Sequence, residues 1–225
     1  MFNKKMVNES STATLGYWKI RGLAEPVRNI LYFTKTKFND KQYSDKVSWA
    51  ADKESLASQG MPFANLPYYT DNNVKLVQST AILKYIGELH NLNGSTPSER
   101  ATIDMLMFEL VDQRTSFTRM CYNEKFQDLV PGYLVSLMDF LKEQSAWLSD
   151  KSFIAGESIS TADFVFYEVL CQNVELKAGC LDSFENLKNY KLRFEKLDGI
   201  KEYLESGSVP GAFNGFTAMF SPMKI

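Results

Sequence analysis

The spacing of apolar positions changes along the chain, and each change predicts a different element. Residues 14–20, TLGYWKI, are dense in apolar and aromatic positions and read as a strand. Leu23, Val27, Ile30, Leu31 and Thr34 then recur at helical spacing, so the strand runs into an amphipathic helix. Pro26 falls in that helix's first turn, where a missing N–H costs little. DKQYSD, at 40–45, reads as a short second strand. KVSWAADKESLASQGMPFA has no clean apolar stripe and predicts a polar loop or irregular helix, broken at Gly60 and Pro62. LPYYT and VKLV are strand-like runs separated by DNN, a hairpin signal because Asn and Asp tolerate positive φ. Ala81, Ile82, Tyr85 and Ile86 return to helical spacing. A strand–helix–strand unit followed by a hairpin and a helix predicts a small mixed sheet with helices on it.

Beyond NGSTPSER the texture is helical only. Thr96, Pro97 and Glu99 form a helix start: an N-cap hydroxyl, a proline at the first helical position and a capping-box glutamate. This helix is expected to run to about Tyr122, with Ile103, Leu106, Leu110 and Phe117 on one face. A second is expected from Pro131 to Leu148. A third starts at ISTADF, with Ser160 as N-cap, Asp163 as its capping-box partner, and Ile159 and Phe164 as a hydrophobic staple. NLKNYKLRFEKL and GIKEYLES supply two more. The expected organisation is a disordered leader at 1–13, an α/β domain at 14–91, a short linker, and a helical domain at 97–225.

Composition narrows the function. Apolar residues make up 44% of the 225, enough for a sizeable core. Lys plus Arg is 25 against 27 for Asp plus Glu, and no basic block is interleaved with aromatics, which argues against nucleic-acid binding. Cys121, Cys171 and Cys180 are odd in number and lack C-x-x-C spacing, so a reducing, cytoplasmic setting is expected rather than a disulfide framework. The single histidine, His90, removes most zinc sites and most His-based triads; no metal is expected, and His90 is assigned a structural role. No run approaches 18 apolar residues, so no membrane span is expected.

LGYWKIRGLAEPVR, NLPYYTD, VQSTAILKYIGELHNL and GESISTADFVFYEVL, in this order and spacing, resemble cytosolic glutathione transferases, most of all the mu class. The resemblance spans Leu15 to Phe220 and implies a thioredoxin-like domain followed by an all-helical domain, usually as a homodimer. It also implies an enzyme with glutathione as co-substrate, conjugating it to small hydrophobic electrophiles in detoxification. The cysteine that thioredoxin-like domains often carry at the start of the first helix is missing, so the chemistry would rest on the Tyr17 hydroxyl.

Conjugation needs the thiolate, and a free thiol with a pKa of about 8.5 is only slightly ionised at neutral pH. A phenol keeps its proton there and can donate to sulfur. From the residues alone Tyr17 is favoured as a core residue; the resemblance makes it the catalytic residue. Asn65, Leu66 and Pro67 match a cis-proline segment whose backbone pairs with the cysteinyl backbone of glutathione, although X-Pro also suits a plain strand start. Gln78 and Ser79 precede a helix and match the γ-glutamyl carboxylate site, while serine is also an ordinary N-cap. Trp49 and Lys53 match further glutathione contacts, with a solvated surface charge as the alternative for Lys53. Asp112 matches an aspartate that reaches glutathione in the partner subunit, and a pair with Arg114 or Arg119 would serve it as well. Phe63 matches an aromatic key inserted into the neighbouring subunit, or folds into its own core. Tyr122 matches a tyrosine facing the electrophile, or packs between helices. Trp18, Leu23 and Phe216 would line the electrophile pocket, Trp18 and Leu23 also touching glutathione. Two other readings stay open: a ligand carrier or structural protein of the same fold, and a sigma-like glutathione-dependent isomerase.

Overall fold

A computed structural model describes residues 12–221. Residues 1–11 of the expected leader lie outside the described residues, and Ala13 already belongs to the first strand. The sheet half comprises β1 (Ala13–Trp18), α1 (Glu25–Phe33), β2 (Phe38–Tyr43), α2 (Lys46–Ser58), β3 (Tyr68–Thr70), β4 (Lys75–Val77) and α3 (Ser79–Leu89). The helical half comprises α4 (Pro97–Cys121), α5 (Phe126–Leu148), α6 (Thr161–Leu176), α7 (Glu185–Glu195) and α8 (Ile200–Glu205). This is the thioredoxin-like plus all-helical architecture. No helix among the described residues is long and apolar enough to cross a membrane.

The sheet order is β2-β1-β3-β4. β1 runs parallel to β2, pairing Ala13 with Phe38 through to Trp18 with Tyr43, and antiparallel to β3. A parallel pair needs a crossover, and α1 supplies it. Gly16 is required in β1 because a Cβ there would lie 2.0 Å from the Tyr68 ring. On α1, Arg28 is buried between Glu25 and Asp40 at 3.1 and 2.9 Å, and donates to the Ile20 carbonyl at 2.9 Å. It thereby holds the turn after β1, where the candidate site begins. The halves meet through stacked Tyr32 and Tyr203, through Phe33 against Phe164, and through the Tyr203 hydroxyl donating to Glu25.

The cap-marked helices start at the expected residues. At α4 the Glu99 N–H donates to the Thr96 hydroxyl at 3.1 Å, and Glu99 accepts from the Thr96 N–H at 3.2 Å. At α6 the buried Asp163 carboxylate accepts from the Ser160 N–H and hydroxyl, both at 2.8 Å. Three expectations are corrected. Residues 46–58 form a regular helix, started by Asp45 accepting from the Ser48 N–H at 2.8 Å; it buries no residue fully, so it shows no stripe. β2 starts and ends two residues earlier than expected, because Asp45 caps α2 rather than ending the strand. α5 begins at Phe126, and Pro131 sits inside it rather than at its first position.

Candidate active site

A cavity of about 1150 Å³ opens between the end of β1, α4 and the carboxyl-terminal segment. Tyr17, at the end of β1, is 6% exposed, and its hydroxyl accepts from the Leu23 N–H at 3.1 Å. Accepting that bond orients the phenol and leaves its own proton free for a second partner. Burial raises the pKa of Tyr17, so the proton stays on oxygen at neutral pH. The turn that delivers the Leu23 N–H passes through Gly22, at φ +41°, where a Cβ would meet the Tyr17 ring and hydroxyl at 2.7 Å. Only glycine lets the backbone approach this closely.

The cavity draws together Tyr17, Trp18, Leu23, Ser79, Tyr122 and Phe216 of the residues singled out in the sequence. Ser79 is the first residue of α3, and the N–H groups of that first turn have no intrahelical partners. Gln78 precedes it at φ +72°, an uncommon conformation for a non-glycine residue that aims this exposed residue away from the helix path. Leu66–Pro67 is cis, and the Leu66 N–H donates to its neighbour Asn65 at 2.9 Å. Trp49 packs on Tyr68 and Tyr43, and Lys53 follows one turn later on α2, exposed.

The remaining residues lie elsewhere. Asp112 is exposed on α4, beside a second hollow of about 640 Å³, and makes no ion pair among the described residues. Phe63 does not fold into its own core but stands 81% exposed. Tyr122 is exposed at the end of α4 rather than between helices, and its hydroxyl accepts from the Gly215 N–H at 2.7 Å. Phe216 is at the cavity mouth and 87% exposed. Among the described residues no cluster of His, Cys, Asp and Glu is arranged to hold a metal.

Two features were missed in the sequence. The carboxyl-terminal segment forms a strap across the cavity. The Arg21 and Gly22 N–H groups donate to the Ala212 and Phe213 carbonyls at 2.8 and 3.1 Å, and the Met219 N–H donates to the Cys121 carbonyl at 2.7 Å. Phe213 rather than Phe216 is the buried aromatic there, with the Arg21 guanidinium 4.7 Å from its ring centre. Arg21 also forms a buried fork on Glu168 of α6 at 2.9 and 2.5 Å. The second feature is Arg114, which lies on the buried face of α4 between Leu110 and Phe117. A charge on an apolar stripe was the available signal.

The comparisons with known proteins converge on one family. The family described as "Glutathione S-transferase, N-terminal domain" matches residues 13–88, and "Glutathione S-transferase, C-terminal domain" matches 111–207. Glutathione S-transferase Mu 7 of Rattus norvegicus is 42% identical over 200 residues, covering 86% of this chain and 90% of the relative. The class-mu 26 kDa isozyme 7 of Fasciola hepatica is 43% identical over 196 residues, covering 86% and 88%. Among solved structures, the pi-class glutathione S-transferase of Onchocerca volvulus superposes with a TM-score of 0.79 at 32% identity, over 92% of this chain and 100% of that one.

Proposed function

The chain belongs to the glutathione S-transferase family, with mu-class relatives, and from that premise we propose that it conjugates glutathione to hydrophobic soft electrophiles at the Tyr17 hydroxyl. The observation that carries the reading is the Tyr17 phenol: buried, braced by the Leu23 N–H, and holding an uncommitted proton at the cavity floor. Glutathione releases its thiol proton to solvent, and the sulfur anion accepts the hydrogen bond from Tyr17. The thiolate lone pair then forms the S–C bond. In a substitution the leaving group departs with the electron pair of the bond it loses. In an addition to an enone the displaced pair collects on the carbonyl oxygen and takes up a proton.

The rest of the tripeptide would lie along the edge of the sheet. The cis segment at Asn65–Pro67 offers its backbone to the cysteinyl unit. Gln78, Ser79 and the start of α3 receive the γ-glutamyl carboxylate, where free N–H groups and the helix dipole favour an anion. Trp49 and Lys53 take the glycyl end. Trp18, Leu23, Tyr122 and Phe216 border the electrophile. Phe63, 81% exposed, and Asp112, exposed and without an ion pair among the described residues, are read as the homodimer contacts: an aromatic key, and a carboxylate reaching the partner's glutathione. Sedimentation is expected to give a dimer for the wild type and a monomer for Phe63→Ser; a dimer in both would remove Phe63 from the interface.

The experiment for the central reading is a titration of bound glutathione, followed by thiolate absorbance and by conjugation rate. Both are expected to rise through one ionisation below the free thiol's value of about 8.5 and then to level off. Burial raises the pKa of Tyr17 above its ordinary value of 10.0, so no second ionisation from the phenol should cut the rate in the neutral-to-mildly-alkaline range. A bound thiol that titrates like free glutathione refutes the reading. Binding of apolar ligands without turnover of any haloarene, enone or epoxide would instead assign a carrier role.

A further inference from the structure

Asparagine is followed by glycine at two places in the sequence, Asn93–Gly94 and Asn214–Gly215. Such a pair can close on itself, because no Cβ keeps the glycine nitrogen from the asparagine side-chain carbon. The two pairs sit in opposite surroundings. Asn93 ties α3 to α6: its amide donates to the Lys84 carbonyl at 2.7 Å, and its oxygen accepts from the Thr161 hydroxyl at 3.0 Å. Freeing it means separating packed helices. Asn214 lies in the strap and is 6% exposed. Its amide donates to the Phe220 carbonyl at 2.9 Å, and its main-chain carbonyl accepts from the Ser221 hydroxyl at 2.5 Å. The Gly215 N–H donates to the Tyr122 hydroxyl at 2.7 Å. In the seated strap both reacting groups are therefore occupied. Their partners, however, are the strap itself and the exposed Tyr122, and Phe216, Thr217 and Met219 alongside are exposed too. Lifting such a segment takes far less free energy than unfolding the core.

Whatever ligand the cavity takes, we propose that Asn214–Gly215 is a self-modification site, protected while the strap is seated and exposed when it lifts. With the strap lifted, hydroxide removes the Gly215 N–H proton, and the nitrogen electron pair forms a bond to the Asn214 side-chain carbon. The bond from that carbon to Nδ2 breaks. The Nδ2 nitrogen leaves with the electron pair and takes a proton from water, giving ammonia and regenerating hydroxide. Water then opens the imide ring at either of its carbonyls. Opening at the side-chain carbon restores the chain with an aspartate. Opening at the main-chain carbon leaves an isoaspartate, with an extra methylene in the backbone. Neither fits the seat. A carboxylate at position 214 would face the Phe220 carbonyl, acceptor against acceptor, in a nearly buried place. The isoaspartate also carries the Gly215 N–H away from Tyr122. The cavity then loses the wall that closes on Arg21 and Gly22, and the working life of the protein is set by how often its strap lifts.

The test is ageing of the full chain in mildly alkaline buffer, followed by peptide mapping with mass measurement. Asn214 is expected to convert to a mixture of aspartate and isoaspartate, while Asn93 stays intact. Tyr122→Phe keeps the ring but removes the acceptor of the Gly215 N–H. Conversion at Asn214 should then run about 2- to 10-fold faster, the range of one neutral hydrogen bond. Asn214→Asp is expected to keep a melting temperature close to that of wild type and to show faster hydrogen exchange across residues 212–221, as a strap that no longer seats. Conversion at Asn93 as fast as at Asn214, equal rates in wild type and Tyr122→Phe, or aspartate without isoaspartate each overturns the proposal. So does wild-type exchange protection in Asn214→Asp, and so does an Asn214 that stays intact throughout.

Discussion

Tyr17→Phe is expected to bind glutathione almost as tightly as wild type and to conjugate it about 10- to 100-fold more slowly at neutral pH. The lost interaction is a hydrogen bond to an anion, about 1.5–3 kcal/mol net. That free energy corresponds to about one to two pH units in the ionisation of the bound thiol. The deficit should therefore shrink as pH rises, because above about 8.5 the thiol ionises without help. This convergence separates a lost thiolate donor from a disturbed pocket, which would slow the reaction at every pH. Phenylalanine keeps the ring against the core, so the stability cost should be confined to the part-buried Leu23 N–H, which loses its acceptor. Rate–pH profiles of the two proteins with one halonitroarene make the comparison. Coincident profiles would exclude Tyr17 as the thiolate donor.

The largest loss of stability is expected at Asp163, remote from the cavity. Its carboxylate is buried and accepts from the Ser160 N–H and hydroxyl, from the Ile154 N–H at 2.9 Å and from the Tyr190 hydroxyl at 3.0 Å. One side chain thus joins the loop before α6, the start of α6, and α7. In Asp163→Ala the Ser160 and Ile154 donors lose their buried acceptor, while the Tyr190 hydroxyl keeps the Asp163 carbonyl at 3.1 Å, and the cost is set by desolvation of the orphaned donors rather than by the bonds alone. About 3–5 kcal/mol is expected, or about 6–20 °C in the melting temperature of a chain this size. Asp163→Asn retains one acceptor oxygen and should fall between. α6 also carries Glu168, so a loosened α6 would release the Arg21 pair at the cavity wall. Thermal unfolding of the three proteins measures this; a loss under about 1 kcal/mol for alanine would mean that water takes over the donors.

What was legible in the sequence follows from how local each signal is. Caps are written within four residues, and Thr96–Glu99 and Ser160–Asp163 marked the starts of α4 and α6. The first strand and helix were equally plain, because Tyr17 and Trp18 end an apolar run and Val27, Ile30 and Leu31 face the core. α2 left no such mark, since a helix that lies on the surface has no stripe to display. Pro131 misplaced the start of α5 because proline favours a first turn but is not confined to it. Tyr17 was found through a motif. Arg114 was not, because an arginine on an apolar stripe of α4 does not tell which cavity that stripe will border. The strap shows the same limit: Phe213 is buried against Arg21 while Phe216 lines the cavity mouth largely exposed, a difference set by backbone bonds to Arg21 and Gly22 that no local pattern records.

The shallow seating of α2 has a thermodynamic consequence. The helix rests on Trp49, Asp52 and Leu56, which share one face: Trp49 against Tyr68, Asp52 accepting from the Tyr43 hydroxyl at 2.7 Å and paired with Lys41 at 2.6 Å, and Leu56 half-buried. Contacts this few leave local opening inexpensive compared with unfolding of the core. A ligand held by Trp49 and Lys53 would bind only the closed form. Part of its interaction energy would then go into keeping this one helix shut, and its measured affinity would report the helix's opening equilibrium as well as its own contacts.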